Sequence, residues 1–356
     1  MSDRGEEEEG DDSHGITRLF GREILNGSRR QQERWIEQAL QYWREHGFPY
    51  PQLTRIEREK EFRGLSALPP ELLIQSGAVQ AATVGLRLAN SFHPSLWDVP
   101  AGRHARAPLD HFENDETLMK LLRRAPNFWP DRRCWNAQCV RSVLRIYGGG
   151  RVSNFRPAAA RAIISRYSEA DSTVLDFSAG FGGRLLGCLT LERLYIGIEP
   201  AVAQMHGLRK MARTLGDLTS TSVELIKGCA EDVMPGLQRR SVDLIFSSPP
   251  YFKMERYSSE PTQSYQRYPT YDVWKDRFLY PVLAASHRLL RPNGLLVINL
   301  ADTSRHPIAT DMIGLGSRLY RRRRMLKLLM HSRPEQRSTR NGVAYRWEPV
   351  FVLQKA

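Results

Sequence analysis

The sequence predicts an α/β protein whose second half forms a mostly parallel β-sheet. From about Phe155 onward, short apolar runs rich in β-branched residues alternate with segments of helical composition. This alternation is typical of parallel strands that are joined by crossover helices. The preceding region carries helical patterns and proline-rich connections, so we expect it to be largely helical.

Seven strands are expected in the second half of the chain. Five candidates are Thr173 to Phe177, Tyr195 to Glu199, Ser222 to Lys227, Val242 to Ser247 and Gly294 to Leu300. A last pair, about Arg324 to Met330 and Glu348 to Gln354, flanks a short polar loop and is predicted to form a hairpin that closes the sheet. In the first half, spaced apolar residues from about Arg29 to Glu45 predict an amphipathic helix.

The composition is that of a globular chain with a basic body. The 356 residues carry a formal net charge of +13, with 41% hydrophobic residues, enough for one large core and a smaller module. Residues 1–15 are rich in acids and are expected to form a disordered tail. The rest of the chain is therefore more basic than the total, which favours a polyanionic partner without naming it.

The sequence carries no signature of a membrane segment or a metal site. No apolar run approaches the roughly 18 residues that span a bilayer, and the N-terminus is polar and acidic, so we expect a cytoplasmic protein. The four cysteines are too few for a disulfide framework. Cys134 and Cys139 lack a second pair of ligands nearby, so buried thiols are expected and no metal.

A glycine-rich turn follows the first predicted strand of the sheet. Residues 176–183 read Asp-Phe-Ser-Ala-Gly-Phe-Gly-Gly, and the glycines allow a ligand to approach the backbone. Glu199 ends the next strand about 20 residues later, where a carboxylate can accept both ribose hydroxyl protons. Because the loop lacks the G-x-G-x-x-G spacing that binds pyrophosphate, S-adenosylmethionine fits better than a dinucleotide. A tight turn without a ligand is the alternative.

The third strand leads into Gly-Cys-Ala-Glu-Asp at residues 228–232. A backbone amide and a carboxylate of this segment could contact the edge of an adenine. Capping of the next helix explains the same residues equally well.

The most informative segment is Ser-Ser-Pro-Pro-Tyr-Phe at residues 247–252, directly after the fourth strand. Two prolines cannot continue a central strand, so the chain must leave the sheet in a stiff turn. Such a turn can hold the Ser248 hydroxyl and the Pro249 carbonyl as acceptors for the two protons of an amino group, while Tyr251 offers a ring face to a planar base. Fixed acceptors favour the electron-rich, tetrahedral nitrogen that attacks a methyl sulfonium. A proline turn beside a packed tyrosine is the structural alternative.

These segments together resemble the amino-methyltransferases of DNA, in which a cofactor loop and a D/N/S-P-P-Y catalytic motif stand in this order in several subclasses. The resemblance covers about residues 150–356 and implies a Rossmann-like methyltransferase fold with S-adenosylmethionine as cofactor. Residues 154–157 resemble the additional cofactor-proximal motif of that family, and residues 345–353 its terminal strand. The implied catalytic residues are Ser248, Pro249, Pro250 and Tyr251. The implied cofactor-binding residues are Asn154, Arg156, Pro157, Asp176, Phe177, Ser178, Gly180, Gly182, Gly183, Glu199, Pro200, Ala230, Glu231 and Asp232.

The resemblance also concerns the acceptor. In that family a serine at the first motif position is more often associated with cytosine N4, and aspartate or asparagine with adenine N6, so cytosine is favoured. Cys229 stands where many relatives place an aspartate near the adenine, which leaves that contact open between Glu231 and Asp232. RNA or a protein glutamine as acceptor, and a nucleic-acid-binding protein without catalysis, are the alternatives.

Reaching a base inside a duplex requires its extrusion, at a cost of roughly a few kcal/mol that phosphate contacts help to offset. The candidate DNA contacts, where cations and tyrosines interleave, are Lys253, Arg256, Tyr257, Arg267 and Tyr268. A second basic cluster, Arg321 to Arg324 with residues 331–340, suits either a duplex backbone or a solvated helix end.

The predicted catalytic domain spans residues 151–356, and target recognition is assigned by elimination to residues 16–150. The basic residues of this N-terminal region include Arg103, Arg106, Arg123, Arg124, Arg132 and Arg133. A lone modification enzyme and the modification half of a restriction system are equally consistent with the sequence.

Overall fold

The structure is a computed structural model that describes most of the chain. It gives residues 15–100, 105–147, 152–254, 256–330 and 346–356, with the backbone alone for Tyr147, Arg322, Arg323 and Arg346. The acidic stretch expected to form a tail, residues 1–15, lies outside the described residues except for Gly15, which begins the short 3-10 helix Gly15–Arg18.

Helices and strands are numbered here in chain order. The described α-helices are α1 (Gly21–Asn26), α2 (Arg29–His46), α3 (Arg55–Ser66), α4 (Leu86–Ser91), α5 (Pro108–Glu113), α6 (Asp115–Phe128), α7 (Ala137–Tyr147), α8 (Pro157–Tyr167), α9 (Gly183–Leu189), α10 (Val202–Leu215), α11 (Ala230–Val233), α12 (Ser264–Arg267), α13 (Tyr271–Trp274), α14 (Tyr280–Leu289) and α15 (Ile308–Gly316). The described strands are β1 (Ile74–Gln75), β2 (Ala78–Val79), β3 (Thr173–Asp176), β4 (Leu194–Glu199), β5 (Val223–Lys227), β6 (Val242–Ser247), β7 (Leu290–Asn299), β8 (Tyr320–Met330) and β9 (Arg346–Lys355). Among the described helices, none has both the length and the apolar character needed to cross a membrane.

The chain divides into two compact units that alternate along the sequence. One comprises the chain up to Thr54 together with Pro94–Val152, and the other comprises Arg55–His93 and Ser153–Ala356. The division predicted from the sequence, residues 16–150 against 151–356, differs because it placed residues 55–93 with the N-terminal region. This segment belongs with the sheet because β2 pairs in parallel with β8 and supplies an added edge.

The first unit is helical and has its own core. In α2, Ile36, Ala39 and Trp43 recur at helical spacing and are buried, so the predicted amphipathic helix is confirmed. The Ser28 hydroxyl accepts a hydrogen bond from the backbone nitrogen of Gln31 and caps the start of this helix. This capped, amphipathic helix supplies one wall of the core of the unit.

The second unit is built on one large sheet. In the described residues its strand order is β1-β2-β8-β9-β7-β6-β3-β4-β5. The strands from β3 to β7 pair in parallel, whereas β9 lies antiparallel between β7 and β8. This confirms the predicted Rossmann-like α/β fold, a mostly parallel sheet of seven strands with a C-terminal hairpin, to which the two-residue strands β1 and β2 are added.

The strand order reverses direction between β3 and β6. The chain passes from β3 outwards to β4 and β5, and then returns to β6 on the other side of β3. Such a reversal opens a crevice at the carboxyl ends of the central strands, where doubly wound sheets bind ligands. Buried residues of these strands, Leu175, Ile198, Ile245 and Leu296, belong to one apolar core, so the crevice has a rigid floor.

The second basic cluster lies in a strand. Arg321 and Arg324 are exposed on β8, which excludes a solvated helix end as the reason for their charge. Residues 331–340, the other part of the predicted cluster, lie outside the described residues.

Gly187 in α9 packs closely against α8, and Gly314 in α15 provides a comparison at an open position. A Cβ on Gly187 would lie 2.7 Å from the Ala160 Cβ and 2.7 Å from the Arg161 backbone nitrogen, whereas a Cβ on Gly314 in α15 would meet no described atom within 4 Å. We expect Gly187→Ala to lower the free energy of unfolding by about 1–3 kcal/mol through overpacking. Gly314→Ala should raise it by about 0.5–1 kcal/mol through helix propensity. Urea unfolding measures both, and equal effects of the two substitutions would contradict the close α8–α9 packing.

Candidate functional site

The candidate site lies where the carboxyl ends of β3, β4 and β6 meet. Because β3 pairs in parallel with both β4 and β6, the segments that follow these strands are neighbours. They are the glycine loop (residues 177–183), the segment that begins at Glu199, and the proline loop (residues 247–252). The structure therefore brings the glycine loop and the proline loop together, as shown by the hydrogen bond between Asp176 and Ser247, which are 71 residues apart in the sequence.

Two glycines of the glycine loop have left-handed backbone conformations, with φ of 55° at Gly180 and 74° at Gly182, which favour glycine. A Cβ on Gly182 would lie 2.8 Å from the Met211 Cε in α10, so this glycine is also required by packing. A Cβ on Gly180 would meet only the Ser178 backbone oxygen, at 3.8 Å, among the described residues. The loop is therefore open at Gly180, where a ligand can approach its backbone.

The Asn154 side chain binds two backbone groups of the glycine loop. Its Oδ1 accepts a hydrogen bond from the Gly183 nitrogen at 3.1 Å, and its Nδ2 donates to the Phe181 oxygen at 2.7 Å. Gly183 lies against the backbone carbonyl of Phe155, where a side chain would overlap it. Asn154, predicted as a cofactor contact, thus fixes the shape of the loop.

Asp176 is fully buried and accepts four hydrogen bonds. Its Oδ1 accepts hydrogen bonds from the Ser178 nitrogen at 3.2 Å and from the Ser247 hydroxyl at 2.8 Å. Its Oδ2 accepts hydrogen bonds from the Arg184 Nε at 2.7 Å and from the Tyr195 hydroxyl at 3.0 Å. Because a carboxylate has about four lone-pair sites, none remains for a ligand. The prediction that Asp176 contacts the cofactor is corrected: it organises the site.

Glu199 is buried, and each of its carboxylate oxygens accepts one backbone hydrogen bond. Oε2 accepts a hydrogen bond from the Gly180 nitrogen at 2.8 Å, and Oε1 accepts one from the Ala201 nitrogen at 2.9 Å. Each oxygen keeps one lone pair, which is what a ribose diol requires. Burial raises the pKa of Glu199 to about 7, against the opposite effect of the Ala201 and Gly180 N–H groups.

The remaining predicted cofactor residues near β3, β4 and α8 frame this site. Phe177 is buried in the core beneath the sheet edge, while Ser178 and Pro200 are partly buried. Pro157 is the first residue of α8. Arg156 donates a hydrogen bond from its guanidinium to the Leu329 backbone oxygen near the end of β8, so it is tied to this strand.

The residues after β5 are engaged by a later part of the chain. Ala230 begins α11, with Cys229 as its N-cap. Asp232 accepts two hydrogen bonds from the Arg267 guanidinium, at 2.5 and 3.2 Å. Glu231 accepts the Tyr268 hydroxyl and lies 3.3 Å from the Arg267 Nε. Both carboxylates are therefore engaged within the chain.

The proline loop is fixed to the end of β7 and to the segment that follows it. The Ser248 hydroxyl donates to the Asn299 oxygen at the end of β7 (3.1 Å), and the Ala301 nitrogen donates to the Tyr251 hydroxyl oxygen (3.0 Å). Pro249 is buried and Pro250 is partly buried. Phe252 follows with a φ of 54°, a left-handed conformation that costs a non-glycine residue about 1–2 kcal/mol.

The predicted DNA contacts separate into two groups. Lys253 and Arg256 are exposed, and Tyr257 lies with its ring edge towards Phe181, at 5.9 Å between centroids. Lys253 also donates to the Pro269 oxygen.

Two of the predicted contacts are corrected. Tyr268 is 4% exposed and has no accessible ring face for a base, because it packs into the core and binds Glu231. Arg267 is held by Asp232 and Glu231, so its charge is neutralised within the chain.

Sequence reasoning missed the residues that join the motifs to each other. Ser247 stands beside the predicted Ser248, but only the three-dimensional structure shows that it binds Asp176. Arg184 and Tyr195 likewise have no motif of their own, although an arginine in the first turn after a glycine loop was an available signal. Asn299, at the end of β7, could have been found from its position at the carboxyl edge.

Comparisons with solved structures give partial matches. TrmN from Thermus thermophilus is 16% identical, with 57% of this chain and 49% of TrmN covered and a TM-score of 0.38. The tRNA (m1A58) methyltransferase TrmI from Aquifex aeolicus is 13% identical, with 57% and 70% covered and a TM-score of 0.40. A methyltransferase from Pyrococcus furiosus is 14% identical, with 56% and 83% covered and a TM-score of 0.36.

The matched region thus spans about half the length of TrmN. At these TM-scores the likeness is partial, and the assignment of the fold rests on the strand order of the chain itself. No protein-family model and no curated protein matches the sequence.

The buried ion pair of Asp176 and Arg184 should dominate the stability of the site. Asp176→Asn leaves Arg184 with an unpaired buried charge, so we expect the free energy of unfolding to fall by about 3–5 kcal/mol. Adding Arg184→Met removes that charge and should recover part of the loss. Urea unfolding of the single and double variants measures this. The exposed pair Glu116–Lys120 supplies the control, because Glu116→Gln should leave stability unchanged.

The pKa of Glu199 makes stability depend on pH. Because the folded protein raises this pKa from 4.5 to about 7, the contribution of the neutral carboxyl is fully present below pH 4.5 and is lost as the pH rises through 7. The glutamine of the Glu199→Gln variant does not titrate. The free energy of unfolding of this variant, relative to that of the original protein, should therefore rise by up to about 3 kcal/mol between pH 4.5 and 8.5. Denaturant unfolding across this range is the measurement. Glu224→Gln, at an exposed position on β5, is the control, and a Glu199→Gln difference that did not vary with pH would contradict the assignment.

Proposed function

We propose that this chain transfers a methyl group from S-adenosylmethionine to the exocyclic amine of a DNA base extruded from the duplex, with cytosine N4 favoured over adenine N6. One observation carries the proposal. The Ser247–Asp176 hydrogen bond (2.8 Å) joins the proline loop to the base of the glycine loop at the reversal point of the sheet. A group held by the glycine loop and a base held by the proline loop would therefore be neighbours.

The described residues fit the adenosine part of S-adenosylmethionine. The spare lone pairs of Glu199 suit a ribose diol, and the open face of Gly180 leaves room beside them. The fit is better than for a dinucleotide, because the glycine loop lacks the regular spacing that receives a pyrophosphate. When bound, S-adenosylmethionine supplies a methyl group on a sulfonium, and its transfer to an amine leaves S-adenosylhomocysteine and a proton.

Ser248 has the hydrogen-bonding state that the acceptor amine requires. Its single hydroxyl proton is donated to the Asn299 oxygen, so the oxygen is left as an acceptor only. An amine proton that binds this oxygen would keep the nitrogen lone pair directed out of the plane of the base, which makes the nitrogen a better nucleophile. The Ser248–Asn299 hydrogen bond thus leaves the Ser248 oxygen as an acceptor before a substrate binds.

Tyr251 contributes a partly buried ring at the same loop. Its hydroxyl oxygen is fixed by the Ala301 nitrogen, so the orientation of the ring is set from the end of β7. A fixed aromatic ring is suited to stacking an extruded base. Lys253 and Arg256, which are exposed just beyond this loop, are proposed to contact phosphates, and the helical unit that contains α2 and α6 is proposed to recognise the target.

The deciding experiment identifies the product. The purified protein is incubated with S-adenosylmethionine and unmodified DNA, the DNA is digested to nucleosides, and methylated products are analysed by mass spectrometry. N4-methylcytosine is the expected product. N6-methyladenine would keep the mechanism and correct the base, whereas cofactor binding without DNA methylation would direct the search to RNA or a protein glutamine and contradict the DNA assignment.

Ser248→Ala tests the role of the acceptor oxygen. We expect the methylation rate to fall by about 10²-fold, because one fixed polar contact to the reacting group is lost, while S-adenosylmethionine binding is retained. Product formation is measured by mass spectrometry and cofactor binding by calorimetry. Ser241→Ala, directly before β6 and with its hydroxyl donating to the Gln238 oxygen, is the matched control and should keep full activity. A Ser248→Ala variant with unchanged rate would show that the motif is structural.

A further inference from the structure

The segment after the proline loop contacts several loops of the candidate cofactor site. We define residues 256–269 as the strap. It touches the loops that follow three neighbouring strands: β3, through the rings of Tyr257 and Phe181; β4, through Glu260; and β5, through Thr262 and Arg267. These loops are the ones to which the adenosine is assigned above.

The contact with the β4 loop replaces a missing helix cap. The N-cap of α10, Ala201, has no side chain that can accept a hydrogen bond. The Glu260 carboxylate of the strap supplies it instead, accepting the Val202 nitrogen at 3.0 Å, at the end of the helix where a negative charge is favoured. Val202 is three residues beyond Glu199, so the strap is fixed directly beside the proposed ribose acceptor.

The contact with the β5 loop is made of polar groups. The Thr262 backbone oxygen lies 3.5 Å from the Cys229 Sγ, and Arg267 pairs with Asp232 at 2.5 Å. Asp232 had been predicted to contact the cofactor, and here it holds the strap. The three contacts together join the strap to the segments that follow β3, β4 and β5.

From these contacts we propose that the strap is the cover of the cofactor site, and that the Arg267–Asp232 pair is its latch. The inference rests on the proposed function, since it concerns the same cofactor. The cofactor enters and leaves when the strap is released, and it is retained while the latch is closed. Because only three residues separate the strap from the proline loop in the sequence, closure over the cofactor would also restrict the proline loop, by which the base is held.

The composition of the strap suits reversible opening. Of its residues, Gln263 and Tyr268 are buried, while the others are exposed or partly exposed. Segments with few buried apolar contacts open at low free-energy cost. The side chains of the latch are also partly exposed, 30% for Arg267 and 57% for Asp232, and ion pairs of this kind contribute little stability. Arg267 is therefore a positioning residue whose loss should change the rate of exchange more than the affinity.

The first test measures how fast the cofactor leaves. Tritiated S-adenosylmethionine is bound to the full chain and displaced by excess unlabelled cofactor. Because a partly exposed ion pair contributes little stability, Arg267→Met should increase the dissociation rate about threefold and the association rate as well, so that the dissociation constant changes by a smaller factor. Arg277→Met, which removes an exposed arginine ten residues further along the chain, is the matched control and should leave both rates unchanged.

The second test locks the strap closed. Position 262 adjoins the native Cys229, whose Sγ lies 3.5 Å from the Thr262 backbone oxygen. Thr262→Cys is oxidised with diamide, and formation of the 229–262 disulfide is verified by mass spectrometry before release is measured. The oxidised variant should release bound cofactor at least tenfold more slowly, and dithiothreitol should restore the original rate. Thr262→Ser treated with the same oxidant is the control, because it retains Cys229 without a partner thiol.

The outcomes separate the two proposals. If the protein binds S-adenosylmethionine but Arg267→Met and the oxidised Thr262→Cys leave its exchange rates unchanged, the strap is not a cover, and the proposed function is unaffected. If the protein does not bind S-adenosylmethionine, the proposed function fails and this inference fails with it. Faster exchange in the first variant and slower exchange in the second support the cover.

Discussion

The carboxylate of Asp176 receives donors from four separate parts of the second unit, and the geometry of the candidate site depends on it. The donors are the backbone of the glycine loop, the first turn of α9, β4, and the last residue of β6. Since the group is buried, its charge is tolerated only while Arg184 remains paired with it. The glycine loop and the proline loop are therefore held in register by a single side chain that does not itself reach a ligand.

This arrangement leaves the ligand-facing roles to other groups. Glu199 retains acceptor capacity at the crevice, and Ser248 has already donated its proton to Asn299. Both are held in place by backbone groups of adjoining strands and loops, so little reorganisation is required when a ligand binds. Asp176 has all of its acceptor sites occupied, whereas Glu199 and Ser248 keep acceptor capacity, so polar residues that lie close together in these motifs are suited to different roles.

The sequence predicted the sheet because each strand is a short β-branched run and each turn carries glycine or proline, signals that are local. It also located Glu199 and the proline loop, since motif order follows strand order. It did not show that residues 55–93 join the sheet, because the two-residue strands β1 and β2 have no periodic pattern. It assigned Arg267 and Tyr268 to DNA because charge and aromaticity are visible in a sequence, whereas their pairing with Asp232 and Glu231 depends on long-range contacts.

The position of β9 has a consequence for how the molecule is made. This strand, Arg346–Lys355, lies between β7 and β8, although it follows both in the chain. During synthesis, β7 can pair with β9 only after the chain up to residue 355 has emerged from the ribosome. The Asn299 side chain donates to the Pro349 oxygen in β9, so the residue that accepts the Ser248 hydrogen bond gains this support only at that late step. A nascent chain thus carries every motif of the site well before it can bring them into a working arrangement.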